Sequence, residues 1–112
     1  MITIMDEKVE KSTSSGELKI DAFQLKKAAL VLRAINHKLR QQIMKLIHQH
    51  GRITVTEIYV KLRLEQSVAS QHLAILRRAG FVLTTRDGKF IFYSVNYDRL
   101  THVQVIVNDL LK

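Results

Sequence analysis

A chain of 112 residues with 46% hydrophobic side chains and no cysteine has room for one small core, and excludes disulfides, thiolate metal sites and thiol redox switching together. The formal net charge is +8 and unevenly spread: residues 1–20 carry three Lys and four acidic groups, residues 21–112 fifteen Lys/Arg and six Asp/Glu, a balance of +9. A basic folded region behind a near-neutral segment points to a polyanionic partner, most often nucleic acid.

Residues 1–20 are polar, with Ser-Thr-Ser-Ser-Gly at 12–16, and are expected to form a poorly ordered tail before one folded domain over 21–112. The first eleven residues lack the basic and apolar regions of a secretory signal. No stretch approaches the ~20 apolar residues of a membrane span, so the expected location is the cytoplasm, with no membrane partner.

Helix one is predicted over 21–35, with Ala22, Leu25, Ala29 and Leu32 on one face and Ala28, Leu30 and Val31 widening the apolar surface. Asn36 is the expected N-cap of helix two, 37–50, in which Leu39, Ile43, Leu46 and Ile47 recur at helical spacing. Gly51 supplies a left-handed stop. Thr54 opens helix three in a capping box with Glu57, ahead of the stripe Val55, Ile58, Tyr59 and Leu62. A turn at 63–65 leads to helix four, with Val68, Ala69, Leu73 and Leu76 inward and Gly80 as its stop. Residues 81–86 and 89–95 alternate around Asp87-Gly88, a strong hairpin signal. A last helix over 97–111 carries Leu100, Val103, Val107, Leu110 and Leu111, with Val105 and Ile106 on another side. With no proline in the chain, caps and glycines must set every helix end.

This order predicts a mainly α (α+β) fold: a winged helix-turn-helix of about five helices plus a β-hairpin wing. Gln66, Ser67, Ser70 and Gln71 lie on the first two turns of helix four. Short hydrogen-bonding groups there suit base edges in the major groove of double-stranded DNA. Ser67 has a second reading as a helix cap, whereas Ser70 and Gln71 are mid-helix and need no cap. Arg86 and Lys89 at the hairpin tip suit phosphates or a minor groove. His72, one residue before the inward Leu73, is expected to be half-buried and structural. Arg77 and Arg78 suit either solvent or phosphate. Tyr59 completes an apolar stripe and reads as core.

The first and last helices are too apolar for one small core to cover. Leu25, Ala29, Leu32, Val103, Val107 and Leu110 are therefore expected to seal a homodimer, whose twofold axis would set two recognition helices ~34 Å apart. His48 and His50 at the end of helix two suit its dipole. Asp98 and His102 share a helix face, and with Asp109 they are the only candidate metal edge; a surface ion pair is the simpler expectation. No metal or cofactor is expected. Without a nucleophile–base pairing or a glycine-rich phosphate loop, the chain is not expected to be an enzyme.

Four segments carry a resemblance to the ArsR/SmtB family of bacterial repressors. Ala34 to Arg40, Ala-Ile-Asn-His-Lys-Leu-Arg, stands where that family has Leu-Ala-Asp-Pro-Thr-Arg-Leu-Arg. Ser67-Val68-Ala69-Ser70-Gln71-His72-Leu73 resembles Ser-x-Val-Ser-x-His-Leu, and Leu76 to Val82 resembles Leu-Arg-x-Ala-Gly-Leu-Val. Arg86-Asp87-Gly88-Lys89 followed by Tyr93-Ser94-Val95 is similar to the family's wing. The resemblance spans about residues 22–111. It implies a homodimeric repressor on a short inverted repeat, with Gln66, Ser67, Ser70 and Gln71 in the major groove. The chain departs from the pattern in lacking the proline before helix two, and in placing Glu65 where a small capping residue is usual. It departs again at the sensor. The cysteine pair is absent, Tyr97-Asp98-Arg99 replaces Asp-x-His, and Leu110 falls where the distal His is expected. Metal sensing in the family manner is not expected. Two alternatives keep the fold: a winged helix used as a protein-interaction module, and a repressor whose small-molecule effector sits between the first and last helices.

Overall fold

A computed structural model describes residues 16–112. The tail expectation for residues 1–15 lies outside the described residues; residues 16–20 run as exposed coil. Five helices and three strands follow: α1 (Ala22–Ile35), α2 (Lys38–His50), β1 (Ile53–Thr54), α3 (Val55–Leu62), α4 (Gln66–Arg78), β2 (Val82–Asp87), β3 (Phe90–Val95) and α5 (Tyr97–Leu110). α3 and α4 form the helix-turn-helix, and the strands form an antiparallel sheet in the order β1-β3-β2. None of the described helices is long and apolar enough to cross a membrane.

Each helix end has a local cause. Asp21 caps α1 by accepting from the Gln24 N–H at 3.0 Å. The expected cap of α2 shifts by one residue. Asn36 closes α1 instead, its N–H donating to the Leu32 carbonyl. His37 then turns extended, and its Nδ1 accepts from the Arg40 N–H at 3.3 Å. Thr54 and Glu57 make the reciprocal capping box at the start of α3. Glu65, at the N-cap of α4, makes no side-chain capping bond, and neither does Ser67 supply one. At the far end of α4, Phe81 N–H donates to the Leu76 carbonyl and Gly80 N–H to that of Arg77. This is the Schellman arrangement, which needs the left-handed φ of +88° that Gly80 adopts.

The core lies where α2, α3, α4 and the sheet meet. Ile43, Ile47, Ile53, Ile58, Leu73, Leu76, Phe81 and Val82 are its fully buried members. Burying a side chain of this size contributes about 1.5–3 kcal/mol, so this cluster dominates the stability of the protomer. β1 escapes periodicity because it is two residues long. It pairs Ile53 with Tyr93 and Thr54 with Phe92, tying the start of α3 to the wing.

The wing register also differs by one residue from the Asp87-Gly88 turn. Asp87 pairs with Phe90, so Gly88 and Lys89 form the two-residue loop. Only Gly88 has positive φ (+63°), as in a type II′ turn, which places glycine first. The register sets the faces. Val82, Thr84 and Arg86 pair with Val95, Tyr93 and Ile91 on one side; Leu83, Thr85 and Asp87 pair with Ser94, Phe92 and Phe90 on the other.

Candidate nucleic-acid interface

Residues at i, i+3 and i+4 share a helix face, and α4 divides cleanly on that rule. Ala69, Leu73 and Leu76 are buried, while Gln66, Ser67, Ser70, Gln71, Arg77 and Arg78 are all exposed along one outer stripe. The hairpin approaches this stripe. A groove of about 430 Å3 is lined by Ser70, Ala74, Arg77 and Arg78 from α4 and by Tyr93 from β3. Tyr93 lies on the same sheet face as Arg86, so the wing turns its Arg86 side toward α4. Arg86 and Lys89 are both exposed at the tip. The surface therefore offers amide and hydroxyl groups at its centre and cations at its rim, with no acidic side chain among those named.

Arg52 adds a cation at the root of the wing. Its guanidinium stacks 4.0 Å from the centre of the Phe92 ring and pairs with Asp87 at 3.2 Å. The ion pair is exposed and contributes little stability. Its electrostatic effect is to neutralise the one carboxylate near the tip.

The side chain that holds α4 in place is Arg40, which periodicity places on the inward face of α2 but composition reading passes over. It is 6% exposed. Nε donates to the Ala34 carbonyl at 2.6 Å, Nη2 to the Arg33 carbonyl at 3.1 Å, and Nη1 to His72 Nδ1 at 3.1 Å. With Asn36 N–H on Leu32 and Gln41 Nε2 on Ile35, all four terminal carbonyls of α1 have a donor. The negative end of the α1 dipole thus faces the buried cation. Burial still lowers the Arg40 pKa.

A guanidinium can only donate, so His72 Nδ1 accepts and the ring is neutral with its proton on Nε2. Burial, followed by the proximity of His37 and Arg40, holds the His72 pKa below the ordinary histidine value. The His37 and His72 rings lie 5.0 Å apart between centroids. His72 is half-buried and faces the protomer rather than the outer stripe, as its structural reading expects.

The remaining candidates divide. Leu25 and Ala29 are exposed, Leu32 is half-buried and Leu110 is 57% exposed. Val103 departs from its expected interface role: at 5% exposure it belongs to the protomer's own core, with Val107 half-buried against it. The reason is that α5 folds its 100/103/107 stripe inward onto the core, leaving Val105, Ile106 and Leu110 outside. His50 Nδ1 bonds the Leu46 carbonyl at the end of α2, and His48 shares a 2.6 Å hydrogen bond with the Tyr97 hydroxyl of α5. Asp98 and His102 are exposed, and Asp109 pairs with Lys112 at 3.5 Å. No three His, Cys, Asp or Glu side chains among the described residues gather where they could hold a metal ion.

Comparison with known proteins follows these elements. The family described as "Bacterial regulatory protein, arsR family" matches residues 37–84, from the cap of α2 to the first strand of the wing. The transcriptional repressor PagR of Bacillus anthracis is 33% identical over 93 residues, 82% of this chain and 92% of PagR. Its crystal structure superposes with a TM-score of 0.57 over 68% of this chain and 86% of that one. An uncharacterized HTH-type transcriptional regulator of Methanocaldococcus jannaschii is 33% identical over 84 residues, 75% of this chain and 94% of its own. The homodimeric winged helix-turn-helix DNA-binding domain of a Mycobacterium bovis protein, solved by NMR, is 30% identical with a TM-score of 0.64, covering 87% of this chain and 93% of that one. On its helix order, its wing and these similarities, the chain belongs to the arsR family of bacterial regulatory proteins.

Proposed function

We propose that the protein is a DNA-binding transcriptional repressor that grips an inverted-repeat operator as a homodimer. The observation that carries this reading is the outer stripe of α4. Gln66, Ser67, Ser70 and Gln71 stand exposed on one face, flanked by Arg77, Arg78, Arg86 and Lys89. Amides and hydroxyls at a helix N-terminus read base edges, and cations around them hold phosphates. Tyr93, in the groove between α4 and the wing, joins the phosphate set.

The homodimer rests on α1. Every residue from Ala22 to Leu30 is exposed, with Phe23 at 71% and Leu25 at 63%. Two and a half turns of helix with no tertiary cover are marginal in water. A second copy that packs on Leu25, Ala29 and Leu110 would supply that cover. DNA also uses the +9 of residues 21–112, for which a protein-interaction module has no need. A regulator of this kind works in the cytoplasm and has no catalytic task.

Gel shift against random-sequence duplex at two salt concentrations tests the DNA reading. Neutralising phosphates releases counterions, with a log-log slope of about −0.9 per contact. Binding that weakens steeply with salt supports the reading. No binding at low salt would leave the interaction module in its place.

A further inference from the structure

A cleft of about 590 Å3 opens between α1, the C-terminal end of α4 and the start of α5. Five cationic side chains line it, Lys27, Arg33, Arg40, Arg78 and Arg99, and no acidic one does. Its floor is apolar, built from residues such as Leu30, Val31 and Ile75. Like charges converging on an apolar wall repel one another and focus a positive potential into the cleft. An anion relieves that repulsion. The volume is that of a small-molecule pocket and far exceeds an inorganic ion, and the apolar floor calls for hydrocarbon.

Arg40 connects this cleft to the DNA-facing element. The same guanidinium that borders the cleft holds His72 of α4 at 3.1 Å and the carbonyls of Arg33 and Ala34. Arg78 lines both the cleft and the groove beside the wing. A charge placed in the cleft therefore sits beside the one guanidinium, that of Arg40, which ties α4 to α1 and α2.

We propose that this cleft binds an organic anion, a single acidic head on an apolar body, and that its occupancy lowers affinity for DNA. The inference rests on the regulator reading above. The cleft lies off the proposed dimer face of α1. Lys27, Leu30, Val31 and Ala34 recur at i, i+3, i+4 and i+7 on α1, nearly opposite Leu25 and Ala29.

The test uses 8-anilinonaphthalene-1-sulfonate as the anionic probe and N-phenyl-1-naphthylamine as its neutral counterpart, titrated into the full-length protein. The sulfonate should saturate at one per protomer and bind at least about tenfold more tightly than the amine. Arg33→Glu should weaken the sulfonate by about tenfold and leave the amine unchanged. Lys27→Glu, fully on the surface, provides a second variant if Arg33→Glu does not fold. Saturating sulfonate should weaken duplex binding about fivefold or more, and duplex should weaken the sulfonate by the same factor. Equal binding of the two probes, or sulfonate binding indifferent to both variants, would overturn the proposal. Bound sulfonate that leaves DNA affinity unchanged would overturn the coupling. If Lys27→Glu and Arg33→Glu abolish DNA binding without any probe, the cleft is a DNA surface and the ligand assignment fails. A protein that binds no duplex sinks the regulator reading, while the probe titration still decides the cleft.

Discussion

Arg40 of α2 donates through Nη1 to Nδ1 of His72 on α4 across 3.1 Å, and the same fork closes the end of α1. One side chain thus fixes the mutual placement of three helices. Its planar donors cannot be reproduced by an ammonium. Arg40→Met should leave two carbonyls and an imidazole nitrogen without a donor and cost about 2–4 kcal/mol. Arg40→Lys should recover only part of that. Denaturant unfolding of the two variants measures both; a loss below about 1 kcal/mol for Arg40→Met would contradict this placement.

The same contact sets a pH dependence. His72 must be neutral to accept from Arg40, and its folded pKa lies below the unfolded value of about 6.5. The unfolded chain therefore takes up the proton first as pH falls. Stability from this site is fully present above about pH 6.5 and is lost on acidification through the folded pKa. Unfolding midpoints recorded from pH 8 to pH 5 should show this loss, and His72→Gln should flatten it. An unchanged acid slope in that variant would place the titration elsewhere.

Base reading and phosphate holding separate by substitution. Gln71→Ala should reduce discrimination by about 1–3 kcal/mol at one base position. Lys89→Ala and Tyr93→Phe should weaken binding to all sequences about equally, because the contacts proposed for them are to the phosphate backbone. Affinity ratios on specific and scrambled duplex distinguish the two. A specificity ratio intact in Gln71→Ala would misplace the recognition face.

Much of this surface is legible in the sequence, and the exceptions have physical causes. Helical period and caps locate α1 to α5 because Asp21, Thr54, Gly51 and Gly80 terminate them locally. β1 is too short for periodicity and exists only through pairing with β3. The turn is ambiguous because Asp-Gly and Gly-Lys are both acceptable hairpin centres, and side-chain pairing across the strands decides. Arg40 falls in register with Ile43, Met44 and Ile47, so its burial is written in the spacing but hidden by its charge. Which apolar stripe of α5 faces inward depends on tertiary packing, and so the burial of Val103 in the protomer core is not legible in the sequence.

The glycine at the end of α4 is constrained twice. Its φ is +88°, and a Cβ there would meet Arg99 Nε at 3.1 Å, where Arg99 donates to the Ala79 carbonyl. Gly80→Ala should destabilise by about 1 kcal/mol or more, read as a lowered thermal midpoint. A neutral or stabilising result would show that the Schellman end can relax without loss.

Assembly should depend on α1 rather than on Val103. Leu25→Asp should give monomers with weak operator binding and an intact protomer fold, because Leu25 is 63% exposed in the single chain. Val103→Asp should instead unfold the protomer, since it buries an unpaired charge. Sedimentation with circular dichroism separates the outcomes; a wild type that is monomeric at micromolar concentration would remove the dimer.

The most direct measurement is selection of bound DNA from a random pool by the full-length protein. An inverted repeat whose half-sites are centred about 10–10.5 base pairs, or a small multiple, apart should be enriched. Recovery of sequences no different from the starting pool, at salt where binding is detectable, would contradict the repressor reading.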